Sequence, residues 1–530
     1  MAPDVLTGDD GGHVRIGMED QVANSIIKKL GCSASRSRSV SCCIHRVPDI
    51  FHEMSKHSAY VPEAISIGPY HRGNKNLKKM EDCKLSLMRT LLARAAKIKF
   101  GEEEEEEIVE STGGEEKRVE VIGEIDEVVT TPQPGLMRAP KGWSIILKDC
   151  VTAIKKRETE FRECYSDPIK LNSKELVEIM VVDGLFTIEY FNVHVMQEYK
   201  NIDDPLLGKA WLKSLLYWDF LLLENQLPIF VLKDLFKLTA DENKSGVDAF
   251  YKLVLGYFRI SFPGKDYIHF RDLQRYRNAK HLLDVFIVAL HPCLISHPDS
   301  VKALLLKLIS KLTTFPNICG YCHSPETVEL YRSMEPCKKS LAPIYSCTSI
   351  PGAVELRRSG VQFKEYYNAH SFLGIKFSNG VFEIPRLTIG DKTDRWLRNL
   401  IAYEQFGCNS SGYVTSYAVL MDCLISSAED VELLRKKGIL ITHLGCDEQV
   451  ASMFNKLCTH VIDYDRRYSQ LFNEVDKYYK KRQHKWKATL KREYFHNPWS
   501  TCSFLAAVLL ILLTVISTIF TTLAWVVPKS

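Results

Sequence analysis

The C-terminal end limits this chain more than any other part of it. From Phe504 to Val527 run 24 residues without a charge, FLAAVLLILLTVISTIFTTLAWVV. At about 1.5 Å of rise per residue, such a run makes a helix of roughly 36 Å, longer than a hydrocarbon core of about 30 Å. Its polar members are Thr514, Ser517, Thr518, Thr521 and Thr522. Their hydroxyls can bond back to helix carbonyls and so do not forbid insertion. Trp499 and Trp525 stand near the two ends, where amphipathic rings favour the membrane interface. A buried core helix would be unusual at this length without charge, so the run predicts one transmembrane helix.

The flanks set the expected orientation. Lys480, Lys481, Arg482, Lys485, Lys487, Lys491 and Arg492 precede the span, and only Lys529 follows it. By the positive-inside rule the body is expected in the cytosol. The first 30 residues carry Asp4, Asp9, Asp10, Glu19 and Asp20 and lack the apolar run of a secretory signal. The layout therefore predicts a tail-anchored protein whose first partner is the lipid bilayer. The seven basic residues are also candidates for contact with anionic lipid, at about 1 kcal/mol each near the surface; alternatively they form a solvated helix face. Asn243-Lys244-Ser245 and Asn409-Ser410-Ser411 fit the glycosylation pattern, which would matter only for a lumenal body.

The rest of the chain has the make-up of a globular protein, with 45% hydrophobic and 25% charged residues among 530. A net charge of +4 gives no argument for nucleic acid as a partner. The 16 cysteines are scattered, without a disulfide framework, and read as reduced thiols.

Residues 1–40 end in a Ser/Arg run and read as flexible, and 41–100 as the first part of a helical body. The acidic run Glu102 to Glu107 and the Pro/Gly punctuation up to Gly135 mark 101–140 as an acidic insertion. Residues 141–479 form the main body, 480–498 a basic juxtamembrane segment and 499–527 the anchor. Leu77, Met80, Leu87, Leu91, Leu92 and Ala95 recur at helical spacing, as do Leu176, Ile179, Met180, Phe186 and Tyr190. Leu206 to Leu223 reads as a core helix. Tyr413, Tyr417, Leu420, Met421 and Leu424 form a stripe; Ser427 with Asp430 offers a capping box, and Gly438 a stop. Ala64–Gly68 and Gly374–Ile384, the latter around Asn379-Gly380, read as β-like. The fold class expected is mainly α, a multi-helix body with a few short β hairpins and one transmembrane helix.

The motifs that carry chemistry are weak. Cys319-Gly320-Tyr321-Cys322-His323 has the spacing of a haem attachment site, but that chemistry belongs to compartments this chain is not expected to enter. A zinc half-site there would need a second ligand pair, and Cys337 and Cys347 lack the spacing. His52 and His57 are five apart rather than the four of a zinc-protease helix, so they fall on different faces. Phosphate loops and the Gly-x-Ser-x-Gly elbow are absent. No cofactor is expected. Asp183, Glu224 and Glu404 stand in apolar surroundings. Such acids either have raised pKa values and do acid–base work, or belong to a buried polar network with neighbours such as Asn225, Gln226 and Gln405.

Ile44-His45-Arg46-Val47-Pro48, Ala59-Tyr60-Val61-Pro62 and Ser66-Ile67-Gly68-Pro69-Tyr70-His71 begin an ordered series of motifs. It continues through Met80-Glu81 with Lys84, Val182-Asp183-Gly184-Leu185-Phe186, Leu223-Glu224-Asn225-Gln226-Leu227-Pro228, His281-Leu282-Leu283-Asp284, Ile350-Pro351 through Gly360-Val361-Gln362-Phe363, Asn399 to Gln405, and Asn497-Pro498-Trp499. The series resembles the plant family catalogued as domain of unknown function 247. The resemblance implies a plant source, a C-terminal single span and residence at the plasma membrane, with no catalytic activity or cofactor established for the class. The expectation is a membrane-anchored protein that binds a protein partner in signalling or recognition. The alternatives are a tethered enzyme using the three acids, or a sensor of anionic lipid.

Overall fold

The computed structural model describes residues 22, 25–27, 42–55, 59–101, 140–195, 208–241, 245–261, 273–291, 349–369, 371–407, 412–481 and 498–526. The acidic insertion, the Cys319–His323 motif, Cys337, Cys347, His57, both glycosylation asparagines and most of the basic collar lie outside these residues.

Among the described residues from Cys42 to Asn74 the chain enters the body as a strap of loops, bends and turns, with one short helix, α1 (Asp49–Met54), in it. Helix α2 (Lys79–Phe100) follows, burying Met80, Leu87, Leu91, Leu92 and Ala95 along one face. In α3 (Lys141–Lys156) the buried Ile146, Cys150 and Ile154 repeat every four residues, as a one-sided helix requires. After the short α4 (Glu158–Glu163) comes α5 (Ser173–Val195), whose sequence Val-Glu-Ile-Met-Val-Val-Asp-Gly-Leu-Phe is apolar nearly all round. A helix of that kind has to be surrounded, and α2, α3, α7 (Ile229–Thr239) and α8 (Val247–Ser261) pack against it. Gly184 makes room for this: a Cβ there would lie 2.4 Å from a methyl of Leu235. Between them α6 (Ala210–Asp219) is shorter than the apolar run Leu206–Leu223 suggested, because Phe220–Leu223 leaves the helix in turns. Helix α9 (Leu282–Leu290) completes this group.

A second group begins at α10 (Ala353–Arg358). Strands β1 (Gln362–Glu365), β2 (Lys376–Ser378) and β3 (Val381–Ile384) form a sheet in the order β1-β3-β2. Strands β2 and β3 are the expected hairpin. Its two turn residues have positive φ, 49° at Asn379 and 80° at Gly380, the demand that makes Asn-Gly a hairpin signal. The other strand pairings are parallel: β1 with β3, and β4 (Leu387–Ile389) with β5 (Leu440–Thr442). Around them pack α11 (Thr393–Phe406), α12 (Tyr413–Leu424), α13 (Ala428–Lys436), α14 (Asp447–Leu457) and α15 (Ser469–Lys480). The capping box at Ser427 and Asp430 is present, and Gly438 lies just past the helix with φ 73°.

The apolar side chains of both groups merge into one core. Trp218 of the first stacks on Trp396 of the second at 6.5 Å. Helix α16 (Pro498–Val526) stands apart from it. Its window Thr501–Leu523 is long and apolar enough to cross a membrane, and none of that window is buried. The hydroxyls of Thr514, Thr518 and Thr521 bond back to the carbonyls of Leu510, Thr514 and Ser517, each at 2.7 Å, which removes their cost in hydrocarbon.

Candidate functional site

The sequence reading Ala64–Gly68 as a strand is corrected by the structure. Among the described residues the segment pairs with no strand, and side chains bind its backbone instead. Backbone buried without a ladder must find other partners for its N–H groups, and buried carboxylates and amides supply them. Val47 N–H donates to Glu224 Oε1 at 2.8 Å. Glu63, Ala64 and Ile65 donate in succession to the Asp219 carboxylate, at 3.0, 2.7 and 2.9 Å. Ile67 N–H donates to Asn225 Oδ1 at 2.7 Å, and Gly68 N–H to Asp183 Oδ2 at 2.8 Å. In the other direction, the Ala59, Val61 and Ile65 carbonyls accept from Asn399 Nδ2, Arg395 and Asn225 Nδ2 at 2.8, 2.7 and 3.1 Å. Gly68 has φ 76°, and a Cβ there would lie 2.7 Å from the Gln226 carbonyl oxygen, so only glycine fits.

Asp183, Asp219 and Glu224 are also matched in charge, since an unpaired buried carboxylate is costly. Lys84 lies 2.6 Å from Asp183, with both side chains wholly buried. Arg395 lies 2.8 Å from Asp219. Glu224 faces three cations or potential cations: His52 and His71, each at 3.3 Å through Nε2, and Arg46 at 3.4 Å. Burial works to raise the Glu224 carboxyl, but the His71 contact, the Val47 N–H and the Arg46 charge outweigh it and hold the group below its ordinary value. Glu404 is placed differently. It accepts from Val414 N–H at 3.1 Å and from Thr415 N–H and Oγ1, both at 2.7 Å, capping the start of α12. Burial nevertheless pushes its carboxyl up.

Asp183, Glu224 and Glu404 thus each have their own partners, and among the described residues no hydrogen-bond partner is shared by any two of them. They act as acceptors that fix the backbone. The amides expected to satisfy them do something else. Asn225 and Gln226 bond the main chain, Gln226 through Nε2 to the carbonyls of Phe220 and Leu222 at 2.8 Å. Gln405 exchanges bonds with Ile462 at the surface. Sequence reasoning missed Arg395, and it set His52 aside as a zinc ligand without seeing its role beside Glu224. Lys84 appeared only through the family resemblance. No group of three or more His, Cys, Asp or Glu side chains suited to a metal occurs among the described residues.

Of the membrane-surface candidates, Lys480 is exposed at the end of α15 and pairs with Asp476 at 2.7 Å, and Lys481 is exposed. Arg482, Lys485, Lys487, Lys491 and Arg492 lie outside the described residues. An open cleft of about 470 Å³ lies near the start of α11 and along α14, lined by acids and bases together, among them Asp391, Asp394, Arg398, Glu448 and Lys456.

The fold is thus that of a helical body with a strap pinned by buried side chains, followed by an exposed apolar helix long enough to span a bilayer. The chain belongs to the DUF247 family, described as a plant protein of unknown function, whose profile matches residues 44–121 and 136–513. It is 27% identical over 496 residues to a UPF0481 protein of Arabidopsis thaliana, covering 92% of this chain and 88% of that one. A second UPF0481 protein of the same plant is 23% identical over 529 residues, covering 89% of each. No solved structure matches the chain. The strap and its pins fall largely on the residues that carry the family resemblance: Arg46, Val47, Gly68, His71, Asp183, Glu224, Asn225 and Asn399.

Proposed function

We propose that this protein is a single-pass membrane component whose cytosolic body holds a protein partner at the membrane surface, in signalling or recognition. The observation that carries the reading is the exposed apolar window of α16, which has no place in water. The basic residues before it favour a cytosolic body, and the family resemblance favours the plasma membrane. A binding role is favoured over an enzyme using Asp183, Glu224 and Glu404 because those carboxylates are spent on backbone donors. Anchoring to one surface raises the effective concentration of body and partner without new contacts.

Alkaline extraction of plant membranes tests the anchor. The full-length chain should stay in the pellet, while a chain ending before Pro498 should move to the supernatant. Recovery of both in the supernatant would end this reading. Proximity labelling with the anchor intact should then mark cytosolic neighbours at the plasma membrane, whereas N-linked sugar on the body would reverse the topology.

A further inference from the structure

The strap begins beside a second thiol. Ile44 and Tyr165 form an isolated parallel bridge, with Ile44 N–H donating to the Cys164 carbonyl at 2.8 Å and Ser166 N–H to the Ile44 carbonyl at 2.9 Å. Cys43 N–H donates to that same Cys164 carbonyl at 2.9 Å. That shared carbonyl sets Cys43 next to Cys164 in two adjacent segments, where bridged backbones lie about 4.8 Å apart. That is inside the Cα separation of about 4.4–6.8 Å that a disulfide accepts. The two thiols are close enough to perturb each other's ionisation, both are buried, and both are free; the Cys164 thiol also donates to the Glu160 carbonyl at 3.4 Å.

We infer that Cys43 and Cys164 form a redox-modifiable pair whose disulfide staples the N-terminal strap to the segment after α4. The neighbouring Cys43 thiol lowers Cys164 and favours its thiolate, which makes Cys164 the attacking sulfur. With hydrogen peroxide as oxidant, the Cys164 sulfur attacks one oxygen and the O–O bond breaks. The departing hydroxide leaves as water, and Cys164 becomes a sulfenic acid. The Cys43 sulfur then displaces that hydroxyl, which leaves as a second water with the Cys43 proton. Two thiols and one peroxide give one disulfide and two waters. Peroxide is small enough to reach a buried pair that larger oxidants meet only when the strap loosens. The bond closes a loop of roughly 120 residues, a length at which a cross-link restricts the unfolded chain strongly.

Full-length protein in detergent, treated with hydrogen peroxide and digested without reductant, should yield a peptide joining Cys43 to Cys164 and lighter by two hydrogens. The thermal midpoint should rise by a few degrees and return after dithiothreitol. Cys43→Ser and Cys164→Ser should each lose both signals, and Cys42→Ser should keep them. A peptide joining Cys42 to Cys164 instead would overturn the inference. So would a 43–164 link that forms only after denaturation. Because the peptide map is made on the unaltered chain, it decides the matter even where the serine variants fold poorly.

Discussion

A single buried aspartate shows how this chain uses charge. Asp219 collects three consecutive backbone N–H groups and one arginine, so its charge is needed for acceptor capacity on both oxygens. Asp219→Asn keeps the shape but removes one acceptor and the buried charge facing Arg395, which keeps only Glu63 and the Val61 carbonyl. Breaking a buried pair in this way costs about 3–5 kcal/mol, and the urea midpoint of the full-length protein in detergent should fall accordingly. Glu224 and Glu404 should give opposite pH signatures. The Glu224 carboxyl is held low, so its contribution is present above the unfolded value of about 4.3 and is lost as pH falls through the folded value. Glu404 is held high, so its ionisation costs stability as pH rises from about 4.3 through its folded value. Thermal midpoints measured from pH 3 to 7 should show Glu224→Gln flattening the acid limb. Glu404→Gln should flatten the region just above it. These acids could be found in the sequence because they stand in apolar runs, but their partners could not. Arg395 lies 176 residues from Asp219, and no local pattern reports a contact of that range.

Among the elements, legibility follows locality. The hairpin at Asn379-Gly380 and the capping box at Ser427 rest on residues a few positions apart, and both stand where the sequence puts them. Helices α2 and α5 were readable from apolar spacing. The strap misled because a β-like stretch at Ala64–Gly68 does not report what satisfies its backbone. Strand β1 was missed because its partner β3 is parallel and reached only after β2 intervenes. The hairpin makes a sharp test. Gly380 has φ 80°, and a Cβ there would meet the Tyr478 ring at 2.4 Å, so Gly380→Ala combines backbone strain with a clash. It should lower stability by about 1–3 kcal/mol. Asn379→Gly, which relieves a positive φ of 49°, should leave the thermal midpoint nearly unchanged.

At the scale of the molecule, the strap is held by side chains of both helix groups, which predicts that it couples their unfolding. Asp183 and Glu224 belong to the first group, and Arg395 and Asn399 of α11 to the second; all four hold the strap or its partners. Asn399 is the junction. Its Oδ1 accepts from Leu223 N–H at 2.9 Å, and its Nδ2 donates to the Ala59 and Arg395 carbonyls at 2.8 and 2.9 Å. One wholly buried side chain therefore ties the first group, the strap and α11 together. Asn399→Ala leaves a Leu223 donor and an Ala59 acceptor unsatisfied in the core, at about 1–3 kcal/mol for each group. A loss confined to one group would lower a single transition, whereas a loss at the junction also weakens the coupling between groups. Scanning calorimetry of the full-length variant in detergent should show the single unfolding peak of the parent splitting into two. A control such as Leu91→Ala, a cavity within the first group alone, should lower the peak without dividing it. If Asn399→Ala also melts as one lowered peak, the groups are joined by their shared apolar core and not by the strap.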